Sequence, residues 1–306
     1  MFSAVRGNQQ HPPMKNITEQ TNPASASLDT LDTAGILRAI HGQDRLVPAA
    51  VEREIPRIAK AVEAVVKAVR RGGRLIYVGA GTSGRIAALD AAEIPPTFGV
   101  GRETVQAVIA GGTRALTRAV EGAEDDAAQA RRDLAAKKIG PRDVVVGIAA
   151  SGRTPYTVEA LRYARSRRAT TVAVTANPRS ALTRAARISI VPATGAEAIA
   201  GSTRMKAAMA QKMVLHMIST AAMARLGHVY GNYMVGVRPT NKKLWERACS
   251  MIANVTGADR ETAGRTLKQS GKDVKVAIVM LRRGLDREKA ARLLARHGGN
   301  LRDIFG

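Results

Sequence analysis

The sequence predicts an α/β protein with a doubly wound parallel sheet, followed by a small C-terminal helical domain. Between residues 74 and 191, short β-branched runs that are apolar almost throughout alternate with helical patterns. Strands with this continuous apolar pattern are typical of a parallel sheet, because helices cover both of its faces. After about residue 240 the strand pattern ends. A chain of 306 residues can form one large domain and one small domain.

The elements follow in a regular order along the chain. Residues 1–17 are predicted to be disordered. Residues 18–28 are rich in turn- and cap-forming residues, and the helical pattern that follows extends to about residue 71. This pattern is clearest over residues 47–69. We predict strands at residues 74–79, 104–110, 143–149, 170–175 and 188–191, and helices at residues 85–93, 115–138, 157–167 and 180–186. Right-handed crossovers between such strands place ligands at the carboxyl ends of the strands.

The C-terminal half is predicted to be helical from residue 205 onward. Residues 205–226 contain lysine, glutamine, histidine and arginine among apolar residues, so they predict a core helix and no membrane span. Shorter helices are predicted at residues 243–254, 259–269, 272–282 and 286–297. The predicted domains are an α/β domain over residues 18–241 and a helical domain over residues 242–306.

The composition limits the classes of function. The formal net charge is +23, but the basic residues are scattered and aromatic residues make up only 3% of the chain. We therefore predict an anionic small-molecule ligand and no nucleic-acid partner.

Cys249 is the only cysteine, which excludes an internal disulfide. The N-terminus lacks the apolar core of a signal peptide, so a cytoplasmic protein is expected. Four histidines show no metal-ligand spacing, and we predict structural roles for them: His41, His216, His228 and His297.

The first of three polar loops follows the first predicted strand. It reads GAGTSGR over residues 79–85 and enters a helix, so its backbone N–H groups and hydroxyls can bind a phosphate. The candidate binding residues are Gly81, Thr82, Ser83 and Gly84. Residues 79–84 also match the dinucleotide-binding motif GxGxxG. That motif requires a carboxylate near the end of the next strand to bind a ribose hydroxyl, and the next predicted strand ends without one. No nucleotide cofactor is therefore expected, and a tight turn without a ligand is the alternative.

Two further loops repeat this chemistry. ASGRTPYT, residues 150–157, follows the third predicted strand, and its candidate residues are Ser151, Gly152, Arg153 and Thr154. One of the first two loops would bind a phosphate and the other sugar hydroxyls. Residues 201–203 precede the long helix and predict a third cap-like anion site, to which Arg204 would add charge. The candidates there are Ser202, Thr203 and Lys206.

The motifs form an ordered set. They are TEQTNPAS, GTSGR, LDAAEIPPTFG, AGG with AVEGAEDD, ASGRTPY and GSTRMK, and they extend from about residue 18 into the second half of the chain. This set resembles the N-acetylmuramic acid 6-phosphate etherases of the sugar isomerase (SIS) superfamily, and the resemblance continues to the C-terminus. The resemblance implies a SIS-type, flavodoxin-like sheet, a homodimer, and a reaction without metal or nucleotide. It also implies cleavage of the lactyl ether of a phosphosugar in amino-sugar recycling.

The resemblance implies roles for two glutamates. Glu93 matches the family's proton donor and Glu124 its second acid/base. Without the resemblance, Glu93 would be a solvated acid where residues 94–96 end a helix, and Glu124 would lie on a solvated acidic helix face. Two carboxyl groups suffice for the reaction, because ring opening makes the C2 proton acidic and the ether oxygen on C3 can leave by elimination. Water then adds across the double bond.

The spacing within the first helix raises a question about the site. Ser83 and Glu93 are ten residues apart, which is about 15 Å along a helix. This distance exceeds the reach from the phosphate to C2 of a hexose phosphate. A site shared between two subunits would explain it, and a folded-back helix end is the alternative.

Other functions stay open at this point. A phosphosugar sensor like the glucokinase regulator would need the phosphate loops but not the two glutamates. A phosphosugar isomerase would share the removal of the C2 proton. A sugar-responsive transcription regulator would need a DNA-binding domain, for which the roughly 50 residues before Ala50 leave little room.

Overall fold

The computed structural model describes residues 16–306, and a five-stranded sheet forms its centre. The strands are β1 (Leu75–Gly79), β2 (Val105–Ile109), β3 (Val144–Ile148), β4 (Thr170–Val174) and β5 (Ile188–Ile190). All neighbouring strands are parallel, in the order β2-β1-β3-β4-β5. The winding reverses between β1 and β3, so the crevice beyond their carboxyl ends is the expected ligand site. The predicted fold class is confirmed, and each strand lies within one residue of its predicted limits.

Helices cover both faces of the sheet. One apolar cluster joins four helices, within residues 47–98 and 206–225, to the face that includes Leu75 and Tyr77. A second cluster joins three helices, within residues 127–185, to Ile76 and Val78 on the other face. Successive side chains of β1 thus enter opposite cores, as strand geometry requires. The helices are α1 (Thr33–Asp44), α2 (Val47–Glu52), α3 (Ile55–Arg70), α4 (Gly81–Phe98), α5 (Ala127–Ala136), α6 (Pro155–Ser166), α7 (Ala181–Ala185) and α8 (Lys206–Arg225).

The helical tail has its own apolar cluster, which also includes Val235 and Val237. Its predicted helices are confirmed to within about two residues, and Asp286 caps the fourth by accepting the N–H of Lys289 at 2.8 Å. No helix in the described residues is long and apolar enough to cross a membrane. The tail helices are α9 (Lys242–Thr256), α10 (Arg260–Gln269), α11 (Val274–Arg283), α12 (Arg287–Arg296) and α13 (Arg302–Phe305).

The predicted domain limits at residues 17/18 and 241/242 stay predictions. Most of the segment predicted to be disordered, residues 1–15, lies outside the described residues. The backbone N–H of Ile17 donates to Oδ1 of Asn177 at 2.8 Å, so the chain is already attached to the sheet domain at this residue.

The helix predicted over residues 47–69 is divided into α2 and α3. The break places Glu54 where its carboxyl group accepts the backbone N–H of Val191 at 3.0 Å and pairs with Arg57 at 2.9 Å. Pro56 lies in the first turn of α3, where the missing N–H has no cost. The break therefore connects the helical layer to the chain just after β5.

The prediction of one helix over residues 115–138 is wrong for the first half of this range. A short 3₁₀ turn (Gly112–Leu116) is followed by turns, and α5 begins only at Ala127. Gly122 has a left-handed φ of 71°, and Asp126 caps α5 by accepting the N–H of Gln129 at 2.7 Å. Glu124 therefore lies in a loop and not on an acidic helix face.

Candidate functional site

The first polar loop lies at the carboxyl end of β1, where α4 begins. Gly81 opens the helix with a left-handed φ of 51°, and the N-cap residue Ala80 makes no side-chain bond to the helix. Gly84 is required by packing, because a Cβ there would lie 2.5 Å from Cγ1 of Ile109 and 2.9 Å from the carbonyl oxygen of Gly79. The first N–H groups of α4 thus have no side-chain cap, which suits an anion-binding loop.

A cavity of about 230 Å³ opens between this loop and the segment after β2, and Thr82 and Glu124 both line it. Arg85 connects its two sides, because Nε and Nη2 donate to the carbonyl oxygens of Ala115 and Arg118, each at 3.0 Å. The structure therefore brings together the first loop and one of the two predicted acid/base residues.

The second polar loop lies at the carboxyl end of β3, next to β1 in the sheet. Thr154 is the N-cap of α6 and makes no side-chain bond to the helix. The hydroxyl of Ser151 accepts the N–H of Arg153 at 3.2 Å. Gly152 has a left-handed φ of 66°, and a Cβ there would lie 2.3 Å from Oγ of Ser180. Glycine is therefore required at this turn.

Glu124 lies between the two loops. The backbone N–H of Tyr156, in the first turn of α6, donates to the carbonyl oxygen of Glu124 at 2.9 Å. The second loop itself lines another cavity, of about 210 Å³, in which Ser151 lies with Asn177 and Arg184. The two predicted binding loops thus lie side by side, as the strand order requires.

Glu93 lies elsewhere, on an exposed side of α4. Its side chain is 61% exposed, and Oε2 is 3.7 Å from Nζ of Lys212 on α8. Nζ of Lys212 is also 3.6 Å from Oδ1 of the buried Asp90, whose Oδ2 accepts the O–H of Tyr77 at 3.0 Å. Among the described residues, Glu93 is not part of the lining of either loop cavity. A single protomer therefore places Glu124, but not Glu93, at the loops.

Comparison with known proteins identifies the family. The model of the glucokinase regulatory protein N-terminal SIS domain matches residues 57–165, and that of the SIS domain matches residues 122–224. An N-acetylmuramic acid 6-phosphate etherase of Serratia proteamaculans (strain 568) is 49% identical over 286 residues, which cover 94% of this chain and 96% of that protein. Another, from Yersinia pestis (strain Pestoides F), is 50% identical over 94% of this chain and 97% of that protein. The chain belongs to the N-acetylmuramic acid 6-phosphate etherase family.

Solved structures are more distant from this etherase-family chain. A phosphoheptose isomerase from Neisseria gonorrhoeae is 17% identical and has a TM-score of 0.49. The match covers 62% of this chain and 97% of the isomerase.

In this member of the etherase family, α4 does not end where its sequence predicts. It continues through two prolines to Phe98, and Gly99 ends it with a left-handed φ of 68°. The hydroxyl of Thr97 donates to the carbonyl oxygen of Glu93 at 2.7 Å, within the turn that the prolines interrupt. Since the helix is continuous, about 15 Å separate Ser83 from Glu93 along it. The folded-back helix end, one of the two explanations for this spacing, is therefore wrong.

The third predicted anion site is closed by the protein itself. Neither Ser202 nor Thr203 caps α8. The fully buried carboxyl group of Glu197 accepts the backbone N–H groups of Lys206 and Ala207 at 3.0 and 2.9 Å. The prediction of an open, cap-like anion site at this helix start is therefore wrong, because an internal carboxylate uses these donors. Ligand contacts of the two hydroxyls stay predictions.

Lys206 is buried and bonded within the protein. It is 1% exposed, and its Nζ donates to Oε1 of Gln43 at 2.9 Å. Asn22, in the TEQTNPAS motif of the etherase family, donates to the same oxygen at 2.7 Å. Burial lowers the pKa of Lys206, while the negative charges of Glu197 and Asp44 act in the opposite direction. In this structure Lys206 therefore supports the start of α8 and adds no charge to an open site.

Sequence reasoning missed Lys212, although a polar residue within an apolar helix was an available signal. Its partner Asp90 is held by Tyr77, and burial, followed by the charge of Asp90, raises the pKa of the Tyr77 phenol well above its ordinary value. The phenol therefore stays protonated and remains a donor. This buried chain fixes the lysine against α4, next to Glu93.

Proposed function

We propose that this chain is a carbon–oxygen lyase that cleaves the D-lactyl ether of N-acetylmuramic acid 6-phosphate. The products are N-acetylglucosamine 6-phosphate and D-lactate. The observation that carries the proposal is the relation to N-acetylmuramic acid 6-phosphate etherases, at 49–50% identity over 94% of the chain. The geometry supports it, because Glu124 and the first phosphate-type loop line one cavity.

The proposed reaction is an elimination followed by hydration. In the open-chain sugar, the aldehyde at C1 makes the C2 proton acidic, and Glu124 removes this proton. The C2–H electron pair forms the C2=C3 double bond, the C3–O bond breaks, and Glu93 donates a proton to the departing lactate oxygen. Water then adds its hydroxyl to C3 and a proton to C2. Atoms and electrons balance without an oxidant or a reductant.

The two loops are proposed to bind the phosphosugar. Both α4 and α6 begin without a side-chain cap, so each start offers backbone N–H groups to a phosphate or a hydroxyl. One loop binds the C6 phosphate and the other the sugar hydroxyls, with the hydroxyls of Thr82, Ser83, Ser151 and Thr154 as further partners. Arg153 is an exposed residue of the second loop and adds positive charge.

We propose that the site is shared between two subunits of a homodimer. Glu93 is 61% exposed and about 15 Å from the first loop of its own subunit. Leu89, one helical turn before Glu93, is 48% exposed, and such an exposed apolar side chain suits an interface. Glu93 of the partner subunit would then complete the site that contains Glu124. The proposed setting is the cytoplasm, in N-acetylmuramate catabolism and peptidoglycan recycling.

Release of D-lactate from N-acetylmuramic acid 6-phosphate tests the reaction. In ¹⁸O-labelled water we expect the label in the C3 hydroxyl of the sugar and none in the lactate hydroxyl, and in heavy water we expect deuterium at C2 when the acid exchanges with solvent. Label in the lactate would contradict the elimination. Absence of any lactate would contradict the proposed activity itself.

Complementation between two inactive variants tests the shared site. Glu93→Gln and Glu124→Gln, co-expressed, form heterodimers in which one of the two sites contains both intact glutamates. With random pairing, about a quarter of the parent activity should return. No recovery in verified heterodimers would show that each subunit forms its site alone.

A phosphosugar sensor is the second candidate, because the glucokinase regulatory protein model matches residues 57–165. A sensor would bind phosphosugars and release no lactate. A phosphosugar isomerase, in contrast, would exchange the C2 proton and leave the ether intact. The lactate assay and the deuterium label therefore separate all three functions.

A further inference from the structure

A cavity of about 830 Å³ lies between the end of α4 and the helical tail. Phe98 and Gly99 form one wall, residues 235–240 form the second, and the turn before α11 with Arg287 of α12 forms the third. Within the described residues it shares no lining residue with the two loop cavities. Its volume lies within the range of about 300–1,000 Å³ that small-molecule sites occupy.

The walls of this cavity are held together by direct backbone packing. A Cβ at Gly99 would lie 2.0 Å from the carbonyl oxygen of Gly236, and a Cβ at Gly236 would lie 2.3 Å from the carbonyl oxygen of Phe98. Neither position tolerates a side chain without movement of the backbone. The cavity is therefore preformed by the contact between α4 and the segment that leads into the tail.

Unpaired positive charge surrounds the cavity. Arg238, Lys272 and Arg287 line it and are exposed, and none of them forms an ion pair or a side-chain hydrogen bond with any described residue. Among the described residues, Asp273 is the one acidic residue of the lining, and its Oδ1 accepts the N–H of Val276 at 3.0 Å as the cap of α11. Because three exposed cations in the lining face one carboxylate, the concavity favours an anionic occupant.

Two further basic residues in the lining are partly buried. Nζ of Lys275 donates to the carbonyl oxygens of Gly227 and Gly299 at 3.0 and 2.7 Å. The imidazole of His228 is partly buried, and its Nδ1 is out of contact with solvent. Burial, and then the charge of Lys275, lower the pKa of His228, while the nearby backbone of Phe98 acts in the opposite direction.

We propose that this cavity binds a small metabolite that carries a phosphate, at a site separate from the two polar loops. Arginine suits this ligand, because its planar guanidinium bonds to phosphate through two parallel N–H groups. Arg238 and Arg287 supply these groups from two different walls, and Lys272 adds a third charge. The concave shape and the single aromatic lining residue, Phe98, favour a small molecule over a nucleic-acid strand. The proposal does not depend on the reaction assigned to the loops.

Calorimetric titration with pyrophosphate tests the site in the full-length protein. The cavity variant is Arg238→Gln/Arg287→Gln. The matched control is Lys243→Gln/Arg247→Gln, which removes the same charge from exposed positions of α9 outside the cavity lining. We expect at least about tenfold weaker pyrophosphate binding in the cavity variant, as for lost charged hydrogen bonds, and unchanged binding in the control. Lys272→Gln alone should give a smaller loss in the same direction.

Three outcomes would overturn the proposal. They are equal pyrophosphate affinity in all variants, an equal loss in the α9 control, and binding of duplex DNA through these arginines without binding of pyrophosphate. Ser83→Ala, in the first polar loop, distinguishes the two sites, because it should leave the affinity of the cavity for pyrophosphate unchanged. Lactate release by the cavity variant in phosphate-free buffer, close to that of the parent, reports that the fold is intact.

Discussion

Helices α4 and α8 pack against each other on one face of the sheet, and both follow loops rich in glycine and hydroxyls. Their starts nevertheless differ. The start of α4 has no side-chain cap and opens into a cavity with Glu124. The donors at the start of α8 are bonded to the buried Glu197. A hydroxyl-rich helix start is therefore an anion site only where the protein has not supplied its own carboxylate.

The same two helices divide the proposed chemistry between them. α4 carries Ser83 at its start and Glu93 further along, whereas α8 supplies Lys212, which lies 3.7 Å from Glu93. Groups that would contact the ligand thus belong to α4, and groups that support them belong to α8. Substitutions in α4 should change binding and catalysis, and substitutions in α8 should act through stability or through the position of Glu93.

Glu197→Ala should have the largest effect, and it should be on stability. The substitution leaves two buried N–H groups without an acceptor and removes a negative charge near the buried Lys206. We expect the free energy of unfolding to fall by about 3–5 kcal/mol, as measured by denaturant unfolding. Glu197→Gln retains one acceptor oxygen and should lose less. A fall below about 1 kcal/mol for the alanine variant would mean that an external anion or water can replace this cap.

Glu93→Gln should lower kcat by at least about 10²-fold with the fold intact, because a general acid is lost. The matched control is Glu63→Gln. Glu63 is also 61% exposed, and it lies 3.6 Å from Arg225 at the other end of α8. The control should retain parent kcat in the lactate assay. Near-normal turnover of Glu93→Gln would remove this residue from the mechanism.

Ser83→Ala should weaken substrate binding with little change in stability. The loss of a hydrogen bond to a charged group corresponds to about 1.5–3 kcal/mol, which would appear as a raised KM in the lactate assay. Ser166→Ala, at an exposed hydroxyl near the end of α6, is the control and should match the parent. The parent should bind the dephosphorylated sugar poorly. Equal affinity for both sugars would contradict phosphate binding at the loops.

Much of the fold was predictable because its signals are local. The strand of residues 144–148 is a continuous apolar run, and the loops with Ser83 and Ser151 directly follow such runs. Since parallel strands end at one edge of the sheet, these loops had to lie near each other. The strand order itself had no local signal.

The rest of the site depends on contacts between distant parts of the chain. Glu197 reaches α8 from a preceding loop, and Lys212 meets Asp90 although the two are far apart in sequence. No periodicity predicts which donor a buried carboxylate will use. The end of α4 was predicted wrongly for a different reason. Consecutive prolines normally end a helix, but here Gly99 provides the stop one turn later.

Lys212→Met should have the smallest effect, and it tests whether α8 acts on the chemistry through α4. The lysine lies between the buried Asp90 and the exposed Glu93, so its loss frees Glu93 to adopt other positions. We expect kcat to fall about tenfold, which corresponds to about 1.4 kcal/mol, with KM nearly unchanged. Lys212→Arg should restore part of this loss. Because the lysine is proposed to act only by positioning Glu93, Glu93→Gln/Lys212→Met should be no slower than Glu93→Gln alone. A further tenfold loss in the double variant would show that Lys212 acts independently of Glu93, and the division of roles between α4 and α8 would then be wrong.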